Sequence, residues 1–223
     1  MPALCACQWP RDADGTLDRI TGASMRVGVT AADPWVLLEG PEPAGVEVRL
    51  VQGLAAELDA DVEWVQGSES ELMAALHVRA LDLVIGGLDS AAPWTQEASL
   101  TRHYLSTRAV VAVPAGVEGF REAEDLAGVS VGVERGRAEA EQVRSLGAVP
   151  VPVEDVTGTN RPVVVDDWRL ETLGLRALGV EVSRSEHVVA VPLGENGWQT
   201  TVERYLLTRP RSELEALLRE EQS

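Results

Sequence analysis

The chain is expected to be an α/β protein, a mainly parallel sheet with covering helices. Short runs rich in Val, Leu and Ile alternate with stretches whose apolar residues recur at helical spacing. Over the first ninety residues the order is strand, loop, helix, strand, helix, strand, the pattern of a sheet covered by crossover helices. At 223 residues, 45% hydrophobic and 25% charged, the chain can bury a sizeable core in one large domain or two small lobes.

Residues 8–24, with Pro10, Gly15 and Gly22, lack sustained periodicity and read as a tether or as an arm packed on the surface. Residues 25–29 form a first strand, and Asp33-Pro34-Trp35 a turn just past it. Residues 40–45, with Pro41 and Pro43, interrupt any regular element. Val46, Leu50, Leu54, Ala55 and Leu58 predict a helix over 46–59. Residues 61–66 read as a strand with Val62, Trp64 and Gln66 on one face. Ser68 and Glu71 fit a capping box, and the helix behind it uses Leu72, Ala75 and Leu76. Residues 81–85 form a buried strand, closed by Gly86-Gly87, then Asp89-Ser90, then Pro93-Trp94. Ligands of open α/β sheets sit outside the carboxyl ends of the strands, so this turn is the first place to look for a site.

Further on, 108–113 is a strand, 123–128 a short helix stopped by Gly128, and 129–133 a strand. Glu134-Arg135-Gly136-Arg137 opens a helix reaching Leu146. Residues 149–153 and 162–165 are strands. Asp166-Asp167 begins a helix through Leu173, acidic side chains suiting the free N–H groups of a helix start. Residues 180–182 and 188–191 are short strands, and helices over 195–208 and 212–220, separated by Pro210, finish the chain.

The net charge of −17 argues against non-specific nucleic-acid binding, which needs cationic cover of phosphates. No apolar run approaches the roughly 18–20 residues of a membrane span. There is no lysine, which excludes Schiff-base and P-loop lysine chemistry. His77, His103 and His187 have no metal-site spacing, no GxSxG elbow occurs, and adjacent Asp166 and Asp167 diverge at a helix start. The reading is of a non-enzyme without cofactor or metal. Cys5 and Cys7, one residue apart, neither staple the fold nor complete a metal site. Leu4-Cys5-Ala6-Cys7 is similar to the end of a bacterial lipoprotein signal with Cys7 as the lipidated residue, which implies an exported, membrane-anchored protein. That reading needs a hydrophobic segment ahead of Leu4, so it holds if translation starts before Met1 and is chance otherwise.

Four segments, in order, resemble the type II (family 3) extracellular solute-binding proteins of ABC transporters, the amino-acid-binding members above all. Met25-Arg26-Val27-Gly28-Val29-Thr30, with Pro34-Trp35 behind it, is similar to their first strand and ligand loop. Ala44-Gly45-Val46-Glu47-Val48-Arg49-Leu50 is similar to the "pxGfdvdL" entry to the first helix. Leu81-Asp82-Leu83-Val84-Ile85-Gly86-Gly87-Leu88 is similar to "vDlviaglt". Residues 124–136 are similar to "eDLaGkkVgVqrGt". The resemblance covers roughly 25–207 and implies a two-lobed type II fold that closes on one small ligand by hinge bending. Lobe one would be 25–106 plus 188–223 and lobe two 107–187, with 1–24 a signal remnant or tether and hinges near 104–107 and 185–187. Residues 154–161 are too few for the family's usual helix, so lobe two is expected to be reduced.

In amino-acid binders of this family a "TxxR" segment follows the strand-end turn, and its arginine clamps the ligand α-carboxylate bidentately. Here Asp89 stands at the threonine-like position and Trp94 at the arginine position. A carboxylate clamp is therefore not expected, and Arg102 is a substitute only by proximity. The ligand-binding set is expected to be Trp35, Gly87, Asp89, Trp94, Arg137 and Asp167. Trp35 and Trp94, each after a proline, either hold a cationic or apolar ligand against an indole face or plug a lobe surface. Asp89 accepts from a ligand or caps the next turn, and Asp167 pairs with a ligand amine or merely starts a helix. Arg135 and Arg137 flank Gly136 where a helix start could hold an anion.

The resemblance implies an extracytoplasmic, monomeric protein that delivers a small polar solute, amino acid or amine-like, to an ABC permease. Two alternatives stay open: a dehydratase-like enzyme of the same fold acting on a small carboxylic acid, and a degenerate sensor or interaction module whose cleft its own side chains fill.

Overall fold

A computed structural model describes residues 10–117 and 123–221. Cys5 and Cys7 lie outside the described residues. The chain forms two compact units, Met1–Leu105 with Glu186–Ser223, and Ser106–Ser185.

In the first unit a short helix α1 (Thr16–Ile20) precedes β1 (Ser24–Val29). There follow α2 (Val46–Glu57), β2 (Asp61–Gln66), α3 (Glu69–His77), β3 (Leu83–Ile85) and the two-residue β4 (Ser99–Leu100). The chain then runs through the second unit in β5 (Leu105–Pro114), β6 (Ser130–Glu134), α4 (Ala140–Ser145), β7 (Val149–Val153), β8 (Val163–Asp166) and β9 (Leu175–His187). It returns to the first unit for β10 (Ala190–Val191), α5 (Asn196–Leu207) and α6 (Arg211–Glu220).

The first sheet has the order β2-β1-β3-β10-β4. β1 pairs in parallel with β2 and β3, whereas β10 runs antiparallel to β3 and β4. α3 begins with the expected capping box: the Ser68 N–H donates to Glu71 Oε2 at 3.0 Å. Leu72, Met73 and Leu76 on the inner face of α3 pack with Leu81, Val84, Leu88 and Val188. Trp198 of α5 is fully buried and its indole N–H donates to the Asp82 carbonyl at 2.6 Å. Ahead of β1, residues 10–23 pack as an arm. Ile20 is fully buried, Asp12 accepts from the Trp198 and Leu17 N–H groups at 2.8 Å, and Arg19 and Arg26 both reach Asp82. Burial raises the proton affinity of Asp82, and the bonds from Arg26 and Arg19 outweigh it, so its carboxyl lies below the ordinary range.

The second sheet has the order β7-β6-β8-β5-β9, with β6 parallel to β7 and β8 and β5 antiparallel to β8. Val111, Val113, Val131, Val133, Val164 and Leu126 form its core on one side. Three expectations change here. The helix expected from residue 134 is only Ala140–Ser145, because Gly136 takes a positive φ of 86° and turns the chain first. The helix expected from Asp166 is a single 3-10 turn, Asp167–Arg169, after which Leu170 and Leu173 fold onto Val110 and Val165 and Gly174 (φ 62°) turns the chain into β9. The strand expected over 180–182 is part of the 13-residue β9, which runs on through Gly179 at φ 73°.

Candidate functional site

In the first unit the carboxyl ends of β1 and β3 meet the amino end of α2. Gly45 (φ 110°) leads into α2, and a Cβ there would lie 2.5 Å from the Trp35 carbonyl oxygen. That close approach lets the carbonyls of Pro34 and Trp35 accept the N–H groups of Val46 and Glu47 at 3.2 and 3.0 Å, which fixes both Trp35 and Glu47. The Glu47 side chain is buried. Its Oε2 accepts the N–H groups of Gly86 and Gly87 at 2.8 and 2.9 Å, and its Oε1 accepts the Tyr104 hydroxyl at 2.6 Å. Burial pushes the Glu47 carboxyl above its ordinary range, while the donors from Gly87, Tyr104 and Gly86 oppose the shift. Burial, and then the charge of Glu47, also push the Tyr104 phenol well up.

Trp35 covers this turn. Its ring centroid is 3.8 Å from that of His187, with the planes 33° apart, and it meets Tyr104 edge-on at 6.5 Å. Gly87 has a φ of 64°, and a Cβ on it would lie 2.6 Å from Trp35 Cδ1. The glycine is thus what admits the indole to the strand end. Only 8% of Trp35 is exposed.

Of the other expected residues in this unit, Asp89 serves the local backbone. Its Oδ1 accepts the Ala91 N–H at 2.8 Å and its Oδ2 the Glu186 N–H at 3.0 Å. Trp94 is partly buried against the α3 core, and its indole N–H donates to Glu69. Arg102 is exposed and paired with Glu203 at 3.0 Å. Trp35 and Gly87 therefore meet directly, whereas Asp89 and Trp94 are engaged with other partners.

In the second unit Arg137 lies at the carboxyl ends of β6 and β8. Its Nη1 and Nη2 donate to Asp166 at 2.8 and 2.9 Å, and its Nε and Nη2 donate to Glu139 at 3.2 and 2.9 Å. Burial disfavours the charge of Arg137, and its bonds to Asp166 and Glu139 outweigh that, so its proton is held more firmly than on a free guanidinium. Burial likewise works against the Glu139 charge, but Arg137 brings its carboxyl below the ordinary range. Asp167 faces elsewhere and pairs with Arg108 at 2.9 Å. Among the described residues no group of three or more His, Cys, Asp or Glu is arranged to hold a metal ion, and no helix is long and apolar enough to cross a membrane.

The sequence profile of bacterial extracellular solute-binding proteins, family 3, matches residues 25–220. The chain belongs to that family. Its fold is the type II fold of family 3, α/β with two mixed sheets. An L-arginine-binding protein of Pseudomonas aeruginosa is 28% identical over 134 residues. That match takes in 59% of this chain and 51% of the relative, so it spans about half the length of the curated protein. An ancestral cationic amino acid solute-binding protein superposes with a TM-score of 0.72 at 19% identity, covering 93% of this chain and 97% of the other. The unliganded, open L-cystine receptor of Neisseria gonorrhoeae gives a TM-score of 0.69 at 17% identity over 90% and 91% of the two chains. These likenesses are of fold.

Glu47, Tyr104, Glu139, Asp166 and His187 lie outside the ligand-binding set expected from the sequence. Glu47 carries a usable signal: a carboxylate between Val46 and Val48 at the start of an apolar helix face has to find donors. Asp166 carries none beyond its neighbour, since what separates the two is only that β8 ends at Asp166 and the 3-10 turn opens at Asp167.

Proposed function

We propose that this family 3 protein captures a small amine-bearing solute outside the cytoplasm and delivers it to an ABC permease, without needing a carboxylate on the solute. The observation that carries this reading is the composition of the first unit's strand end. Trp35, His187 and Tyr104 gather there and Arg102 is paired with Glu203, while the family resemblance puts Trp94 in the place of the carboxylate-clamping arginine. An indole face attracts cations within about 6 Å. The net charge of −17 also raises the local concentration of cationic solutes. The relatives named for arginine and for cationic amino acids fit a cationic head group. Lipidation of Cys7, if processing reaches it, would hold the protein at the membrane surface near its permease.

A second reading has its own observation. Glu47, Asp89, Trp94, Arg137 and Asp167 each bond a partner within their own unit, as they would in a sensor or interaction module whose ligand groups are filled by the chain. Mass spectrometry of material released from the freshly purified protein, with thermal-shift assays against amines, amino acids and small carboxylic acids, separates the two. A bound solute raises the melting temperature by mass action. Stabilisation by amines supports capture, stabilisation only by acidic amino acids contradicts it, and no response to any solute favours the filled module.

A further inference from the structure

We propose that Arg137 is an internal occupant of a cation cage in the second unit, an autoinhibitory contact in which its guanidinium fills acceptors that would otherwise take a guanidinium ion from solution. The cage walls come from separate elements. Asp166 is the last residue of β8, and Glu139 precedes α4 and is held from β9 by the Ser183 hydroxyl at 3.1 Å. Both carboxylates face one planar fork and take four bonds from Nε, Nη1 and Nη2, the arrangement that suits guanidinium over ammonium. Glu134 stands 3.9 Å from Nη1 and is itself paired with Arg169 at 3.1 Å. Three carboxylates, Glu134, Glu139 and Asp166, thus share two guanidiniums, and taking away Arg137 leaves two negative charges in excess.

Arg135 marks the contrast. Its side chain is 63% exposed and paired with the exposed Glu154, whereas that of Arg137 is 20% exposed. A cavity of about 320 Å³ lined by Glu134, Arg135, Gly136, Arg137 and Pro152 adjoins the same segment, leaving room beside the side chain that fills the cage. The inference does not rest on the delivery role: a solute bound at the first unit's aromatic group would leave it unchanged.

The test is chemical rescue. Arg137→Ala is expected to melt roughly 6–12 °C below the unaltered protein, since one partner of a half-buried pair is lost. Low millimolar guanidinium chloride, used as the probe, is expected to restore at least half of that loss. Sodium chloride at the same ionic strength should not, and neither the unaltered protein nor Arg137→Ala combined with Asp166→Asn should gain. Equal recovery in sodium chloride, an equal gain by the unaltered protein or the double variant, or no recovery at all overturns the proposal. If Arg137→Ala does not fold, NMR of the unaltered protein decides. The Arg137 Nε–H is expected to exchange with solvent at least about tenfold more slowly than that of Arg135, and equal exchange contradicts an occupied cage.

Discussion

The two units close their strand ends with opposite chemistry. In the first, a carboxylate, Glu47, is taken up by neutral donors, two backbone N–H groups and a phenol, and an indole lies over the turn. In the second, a guanidinium, Arg137, is taken up by two carboxylates. The first arrangement buries a charge with no counter-charge among those donors, so burial dominates and the carboxyl rises. The second pairs opposite charges, so both members keep their charge more firmly. Charge state is therefore conditional at one edge and fixed at the other.

The most damaging change should be Glu47→Ala. It leaves the Gly86 and Gly87 N–H groups and the Tyr104 hydroxyl without their acceptor, at a cost of about 3–5 kcal/mol in denaturant melts. Glu47→Gln keeps an acceptor for the glycines and turns its amide towards Tyr104, so its loss should stay below about 1 kcal/mol. Equal losses for the two would show that the charge, not the acceptor, holds the turn. Gly87→Ala comes next. Its methyl group would enter the Trp35 ring and the backbone would be strained at φ 64°, costing about 1–3 kcal/mol, with a change in tryptophan fluorescence as the indole leaves His187. Asp166→Asn should cost about 1–2 kcal/mol, since Arg137 retains Glu139, and hydrogen exchange should accelerate in the second unit alone.

The smallest effect is on pH dependence, and it differs in sign between the edges. Glu47 is raised in the fold, so the stability it contributes is complete below the unfolded glutamate value of about 4.3 and is lost as pH rises through its folded value. Glu139 is lowered, so its contribution is present above about 4.3 and is lost as pH falls through its folded value. Glu47→Gln should remove the loss of stability that sets in above about pH 4.3, and Glu139→Gln the loss that sets in below it. Urea melts across pH that flatten on the same side for both variants would break the comparison.

The architecture was legible wherever one residue type decides the local structure. The apolar spacing of Val46, Leu50 and Leu54 marks α2, Ser68 and Glu71 mark the start of α3, and Gly86-Gly87 after an apolar run marks the end of β3. What escaped depended on partners distant in sequence. Whether Asp166 or Asp167 faces Arg137 depends on where β8 stops, since Asp166 is its last residue and Asp167 opens the 3-10 turn. The segment from Asp166 to Leu173 has a good helix start, yet the packing of Leu170 and Leu173 under the sheet allows only one turn. Trp35 and Trp94 look alike in sequence, each following a proline. Only the position of α3 decides that one covers the turn while the other donates to Glu69.

Calorimetric titration with L-arginine and with agmatine tests the proposed function most directly, because the two share a guanidinium and differ by the carboxylate. A site that recognises a cationic head group and has no clamp for a carboxylate should bind agmatine at least as tightly as arginine. Arginine binding about 100-fold tighter than agmatine, a difference of about 2.7 kcal/mol, would show a carboxylate clamp and contradict the account.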